Sequence, residues 1–220
     1  MGFMNKPPGE VRPVRISPEG LEGLLGTPPN ATGLVIFAHG SGSGRLSPRN
    51  NQVATGLREV GLATLLLDLL RPEEELDRAN VVDIQLLAAR LVSATNWSLA
   101  NPELAGLRVG YFGASTGAGA ALVAAAHLGR EIGAVVSRGG RPDLAGEALE
   151  RVQAPSLLIV GGTDGIVIDL NRLAYEHLSS LKEMVIISGA GHLFEEPGTL
   201  DQVMDHAKRW FLRFLPHSAS

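Results

Sequence analysis

The chain has 220 residues, 45% hydrophobic and 19% charged, enough length and apolar character to bury the core of one large α/β domain. A net charge of −4 and a pI near 5.9, with no block of Lys or Arg, argue against nucleic acid or an acidic membrane surface as a partner. Cysteine is absent, which excludes disulfides, thiolate metal sites and a cysteine nucleophile.

Residues 1–10 are polar, contain two prolines and lack the apolar core of a signal peptide. No apolar run approaches the ~20 residues needed to span a bilayer. This reads as a flexible N-terminal segment (1–10) ahead of a single domain (11–215) in a cytoplasmic protein. Val11–Ile16 and Leu21–Leu25 predict two strands joined by a hairpin turn at Pro18-Glu19-Gly20. The wholly apolar run Gly33–Ala38 predicts a strand buried on both faces of a parallel sheet. A glycine-rich loop and a helix over Pro48–Val60 follow, then a buried strand at Leu62–Leu67. Apolar residues at Ile84, Leu87, Ala88, Leu91 and Val92 place an amphipathic helix over Val81–Thr95.

Leu107–Phe112 alternates as a strand, and Ala118–His127 reads as a buried helix. Ile132–Val136, Leu157–Val160 and Val185–Ile187 are further short strands, with helical candidates at Asp143–Val152 and Asp169–Leu181. A last helix, Leu200–Phe214, places Leu200, Val203, Ala207 and Phe211 on one face. Strands alternating with helices predict a doubly wound, mostly parallel sheet. Arg71–Asn80 and Thr95–Ala105 are the only segments available as covers, so no large cap domain is expected.

The chemistry gathers around Gly113-Ala114-Ser115-Thr116-Gly117, which fits the G-x-S-x-G nucleophile elbow between a strand and a helix. A sharp strand-to-helix turn exposes the serine hydroxyl at the cost of a strained backbone, and the flanking glycines admit close neighbours. A nucleophilic serine needs a base, and that base needs an acid to orient it. Asp164 follows the strand ending at Val160, and His192 lies in a Gly-rich loop after the last strand, giving the chain order Ser, Asp, His. Asp164 can alternatively be a turn residue. Asp169 is its main rival but suits the N-terminus of the following helix, and Asp68 is a weaker rival. The other histidines have ordinary explanations, in helices for His127, His177 and His206 and in the C-terminal tail for His217.

Two backbone N–H groups are expected to hold an oxyanion, those of Thr116 and of Ser41 in the loop His39-Gly40-Ser41-Gly42-Ser43-Gly44. That loop lacks the Gly-Lys-Ser/Thr ending of a P-loop and the dinucleotide-binding spacing. His39 is read as structural, its ring holding loop backbone. Within Ser137-Arg138-Gly139-Gly140-Arg141-Pro142-Asp143, an arginine can clamp a substrate carboxylate. The alternative, which the reading favours, pairs Arg138 or Arg141 with Asp143 or another acid; Arg138 is carried as the candidate substrate-binding residue. No metal-ligand spacing is present, and no cofactor is expected.

With these motifs the chain resembles α/β-hydrolases of the dienelactone hydrolase-like group, from about Val14 to Phe214. It looks most like small hydrolases, sometimes fused to phosphoribosyltransferases, that share the Arg-Gly-Gly-Arg-Pro-Asp segment and the ending His192–Gly198. The resemblance implies Ser115 as nucleophile, Asp164 as acid and His192 as base. Dienelactone hydrolase itself uses a cysteine nucleophile, so a small carboxylic ester is the expected substrate in place of dienelactone. Thioesterase, acyl-peptide hydrolase and a weakly active ligand-binding module are the alternatives.

Overall fold

The structure, a computed structural model, describes residues 10–216. The N-terminal segment, apart from Glu10, and His217 lie outside the described residues. Among those described, eight strands form one sheet: β1 (Arg12–Ile16), β2 (Leu21–Gly26), β3 (Leu34–Ala38), β4 (Ala63–Leu67), β5 (Val109–Ala114), β6 (Ile132–Arg138), β7 (Ser156–Gly161) and β8 (Lys182–Ile187). Their spatial order is β1-β2-β4-β3-β5-β6-β7-β8. The β1–β2 hairpin runs antiparallel and joins antiparallel to β4; every pairing from β4 to β8 is parallel. The expected α/β fold with a mostly parallel sheet is present.

Strand composition dictates the layering. Leu34, Ile36 and Ala38 of β3 belong to one core layer, while Val35 and Phe37 belong to the other. Successive side chains of a strand point to opposite faces, so a wholly apolar strand requires cover on both. One face carries α4 (Ile84–Ala100), α5 (Thr116–Leu128) and α6 (Gly165–His177); α1 (Pro48–Glu59) and α7 (Thr199–Phe214) cover the other. Phe37 and Phe112 meet in the second layer with ring centroids 5.0 Å apart. Tyr111 is fully buried in the first, its hydroxyl 2.6 Å from Thr95 Oγ1, and burial pushes its pKa up.

Several expectations take a different form in the structure. The first cover candidate forms two four-residue helices, α2 (Pro72–Glu75) and α3 (Arg78–Val81). The second is no cover: Thr95–Ala100 completes α4, with Thr95 and Ser98 buried. Asp143–Val152 is a 3₁₀ segment, Pro142–Arg151, interrupted at Gly146, whose φ of 52° no α-helix tolerates.

Phe211 is fully buried and packs so closely over β5 that a Cβ at Gly110 would lie 2.9 Å from its ring. Phe211→Ala should therefore cost about 3–5 kcal/mol, read as a lower urea midpoint.

Candidate active site

Ser115 sits between β5 and α5 at φ 50°, ψ −126°, a region that non-glycine residues rarely enter. Its carbonyl accepts the N–H groups of Ala118 at 3.1 Å and Arg141 at 2.9 Å, fixing the turn from both sides. At Gly117 an added Cβ would lie 2.2 Å from the carbonyl oxygen of Ala38, so glycine is what lets α5 start against the end of β3. Although Ser115 holds the N-cap position of α5, its side chain makes no capping hydrogen bond. The hydroxyl stays free for the cavity.

Asp164 shows the same withholding. It stands at the N-cap of α6, where an aspartate ordinarily accepts a backbone N–H, yet it makes no side-chain cap. Its Oδ2 instead lies 2.7 Å from His192 Nδ1, so this ring nitrogen carries the proton and donates it. Asp169, expected to open this helix, lies in its second turn, exposed and paired with Arg172 at 3.1 Å. Asp68 is occupied elsewhere, accepting the Arg45 backbone N–H at 2.7 Å and the Arg45 guanidinium. Glu196, too near in sequence to serve His192, accepts the Gly191 N–H at 3.0 Å and ties down the histidine loop.

The loop after β3 is stapled by His39. Its Nε2 accepts the Leu69 N–H at 3.0 Å, and its Nδ1–H donates to the Gly40 carbonyl at 2.9 Å, which fixes the neutral tautomer. Ser41 and Thr116 come together, with one unexpected feature: the Ser41 N–H donates to Thr116 Oγ1 at 3.1 Å.

The two arginines separate. Arg141 forms a bidentate pair with Asp143, both contacts 2.8 Å, as the ion-pair reading expected. Arg138 does not pair with Asp143 or, among the described residues, with any other acid. It is 7% exposed, its Nη2 donates to Asn50 Oδ1 at 3.2 Å, and its Nε is buried without a partner. Burial, reinforced by nearby Arg49, lowers its pKa to about 10. Gly139, at φ 50°, lets the chain pass beneath His192; a Cβ there would lie 2.9 Å from the His192 carbonyl. Arg49 and Asn50 were missed in the sequence, where they read as ordinary polar residues of a first helical turn. The signal available was their place after a strand-end glycine loop, at a helix N-terminus.

Ser115, His192, Arg138 and Arg49 line one cavity of about 610 Å³ at the carboxyl edge of the sheet, with Ser41 and Gly40 on its near wall. No group of three or more metal-ligating side chains occurs among the described residues. None of their helices is long and apolar enough to cross a membrane.

This sheet, with its elbow between β5 and α5, is the α/β-hydrolase fold. It superposes on Est1E of Butyrivibrio proteoclasticus with a TM-score of 0.77, at 16% identity over 91% of this chain and 98% of that one. The chain belongs to the dienelactone hydrolase-like family of these hydrolases. It is 55% identical to a dienelactone hydrolase of Anabaena variabilis, covering 94% of this chain and 99% of that one with a TM-score of 0.92. It is also 56% identical, over 198 residues, to a Mycobacterium tuberculosis protein provisionally named a phosphoribosyl transferase. That match covers 90% of this chain but 45% of the relative, so the chain spans about half the length of the curated proteins it matches. No family model matches the chain.

Because Gly117 has no room for a methyl group, Gly117→Ala should force the end of β3 away from α5. The expected cost is about 1–3 kcal/mol, read by denaturant unfolding.

Proposed function

We propose that the protein is a serine hydrolase of small carboxylic esters, acting through an acyl-enzyme on Ser115. The observation that carries this reading is the 2.7 Å contact between Asp164 and Nδ1 of His192, a residue that lines the same cavity as Ser115 with its uncapped hydroxyl. In this reading Ser115 Oγ attacks the ester carbonyl carbon while His192 Nε2 takes the hydroxyl proton. Asp164 keeps the imidazole in the tautomer that presents Nε2 as the acceptor and stabilises the imidazolium that forms.

The carbonyl oxygen, now an oxyanion, is received by the N–H groups of Thr116 and Ser41. Since the Ser41 N–H rests on the Thr116 hydroxyl, the oxyanion takes over that bond as it forms. Collapse of the tetrahedral adduct breaks the ester C–O bond, and His192 returns the proton to the departing alcohol. Water then attacks the acyl group by the same route, releasing the carboxylic acid and restoring Ser115. Arg138 serves as the substrate-anchoring cation beside this centre. None of these steps calls on a cofactor, a metal or a partner chain; the substrate is a small molecule.

Ser115→Ala should fold normally and lose about 10³–10⁶ of kcat on a p-nitrophenyl ester. Asp164→Asn keeps the shape of the side chain but favours the wrong imidazole tautomer, so kcat should fall by up to ~10⁴. Asp169→Asn should stay near wild type, because its carboxylate only meets Arg172 at the surface. Full activity in Asp164→Asn with loss in Asp169→Asn would move the acid.

A further inference from the structure

Arg138 is a buried cation with no opposite charge paired to it among the described residues. Its hydrogen-bonding partner is a neutral amide oxygen, its Nε has none, and its other contact is the Phe194 ring, 6.0 Å from the guanidinium carbon. Burying an ion costs several kcal/mol unless an opposite charge repays it. Three residues on, the chain supplies such a charge: Arg141 has Asp143. Arg138 faces a cavity whose wall contains no aspartate or glutamate.

The surroundings add to the positive field. Arg49 stands in the same wall, and its acid, Glu195, is an exposed residue of the histidine loop at 2.9 Å. Exposed pairs of this kind are weak, so the guanidinium can exchange partners at little cost. Pro48, Arg49 and Asn50 are the first turn of α1, a 12-residue helix, and a helix N-terminus carries partial positive charge. Ser43 and the glycine-rich residues around it, 40–44, complete this side.

We infer that this end of the cavity is an anion subsite for a phosphate monoester group carried by the ester substrate, held between Arg138 and Arg49 at the N-terminus of α1. Two guanidiniums crowded together repel each other, and a dianion neutralises both where a carboxylate neutralises one. Three terminal oxygens can also meet two arginine edges and a hydroxyl at once, which two carboxylate oxygens cannot. The inference rests on the hydrolase reading for the ester half of the substrate, but anion binding itself requires neither Ser115 nor turnover.

The test is binding of inorganic phosphate to the full chain, in wild type and in Ser115→Ala, by titration calorimetry at about pH 8, where phosphate is mostly dianionic. Saturable one-to-one binding is expected, weakened at least tenfold in both Arg138→Met and Arg49→Gln and changed less than twofold in Arg141→Met. Arg49 is partly exposed, so Arg49→Gln reads the site even if Arg138→Met does not fold. In turnover assays, phosphate should raise KM for p-nitrophenyl acetate without lowering kcat, and chloride at equal ionic strength should not. Absence of phosphate binding, equal competition by chloride, or binding indifferent to both substitutions would overturn the subsite. Ester hydrolysis without phosphate binding removes the subsite and keeps the hydrolase; phosphate binding without hydrolysis keeps the subsite and removes the hydrolase.

Discussion

The site depends on a single strained residue. Ser115 at φ 50° is a conformation the chain leaves unless its neighbours over-determine it, at a cost of about 1–3 kcal/mol. The restraints come from three directions. The Ser115 N–H points at the Arg138 carbonyl at 3.4 Å, and its own carbonyl takes the N–H groups of Ala118 and Arg141. The absence of a side chain at Gly117 then allows the end of β3 to press against the start of α5. The same contacts that hold the elbow therefore also bring up the 39–44 loop on one side and the Arg138 segment on the other. Position of the Ser115 hydroxyl, of the 39–44 loop and of the buried cation is one mechanical problem with one solution.

A second regularity concerns helix starts. Both Ser115 and Asp164 occupy N-cap positions and neither side chain caps its helix. Elsewhere in the molecule the same position is used normally, by Ser47 toward the Asn50 N–H and by Asp83 toward the Leu86 N–H. Uncapped starts forgo about 0.5–2 kcal/mol each, and here the released groups face the cavity or the histidine. Local capping is given up at the two helix starts that border the candidate site.

Much of this was legible in the sequence because its signals are local. Apolar runs such as Leu34–Ala38 announce strands covered on both faces, and the elbow pentapeptide carries its own geometry. What was illegible depends on tertiary partners. Nothing in the spelling of Arg138 and Arg141 says that one meets Asp143 and the other an uncharged amide, since Asn50 lies 88 residues away. The sequence places the start of α6 too late because Asp169 looks like a cap, whereas Asp164 holds the cap position and directs its carboxylate to His192. The 3₁₀ character of Pro142–Arg151 was hidden because its apolar spacing imitates an α-helix while the break at Gly146 is a backbone property.

The central claim is that Ser115 is an activated nucleophile. It is tested most directly by treating the intact protein with a fluorophosphonate and locating the adduct by peptide mass spectrometry. The account predicts one phosphonyl group per chain, on Ser115, with labelling slowed by orders of magnitude in His192→Ala. An adduct on another residue, or labelling of Ser115 as fast without His192 as with it, would contradict the claim.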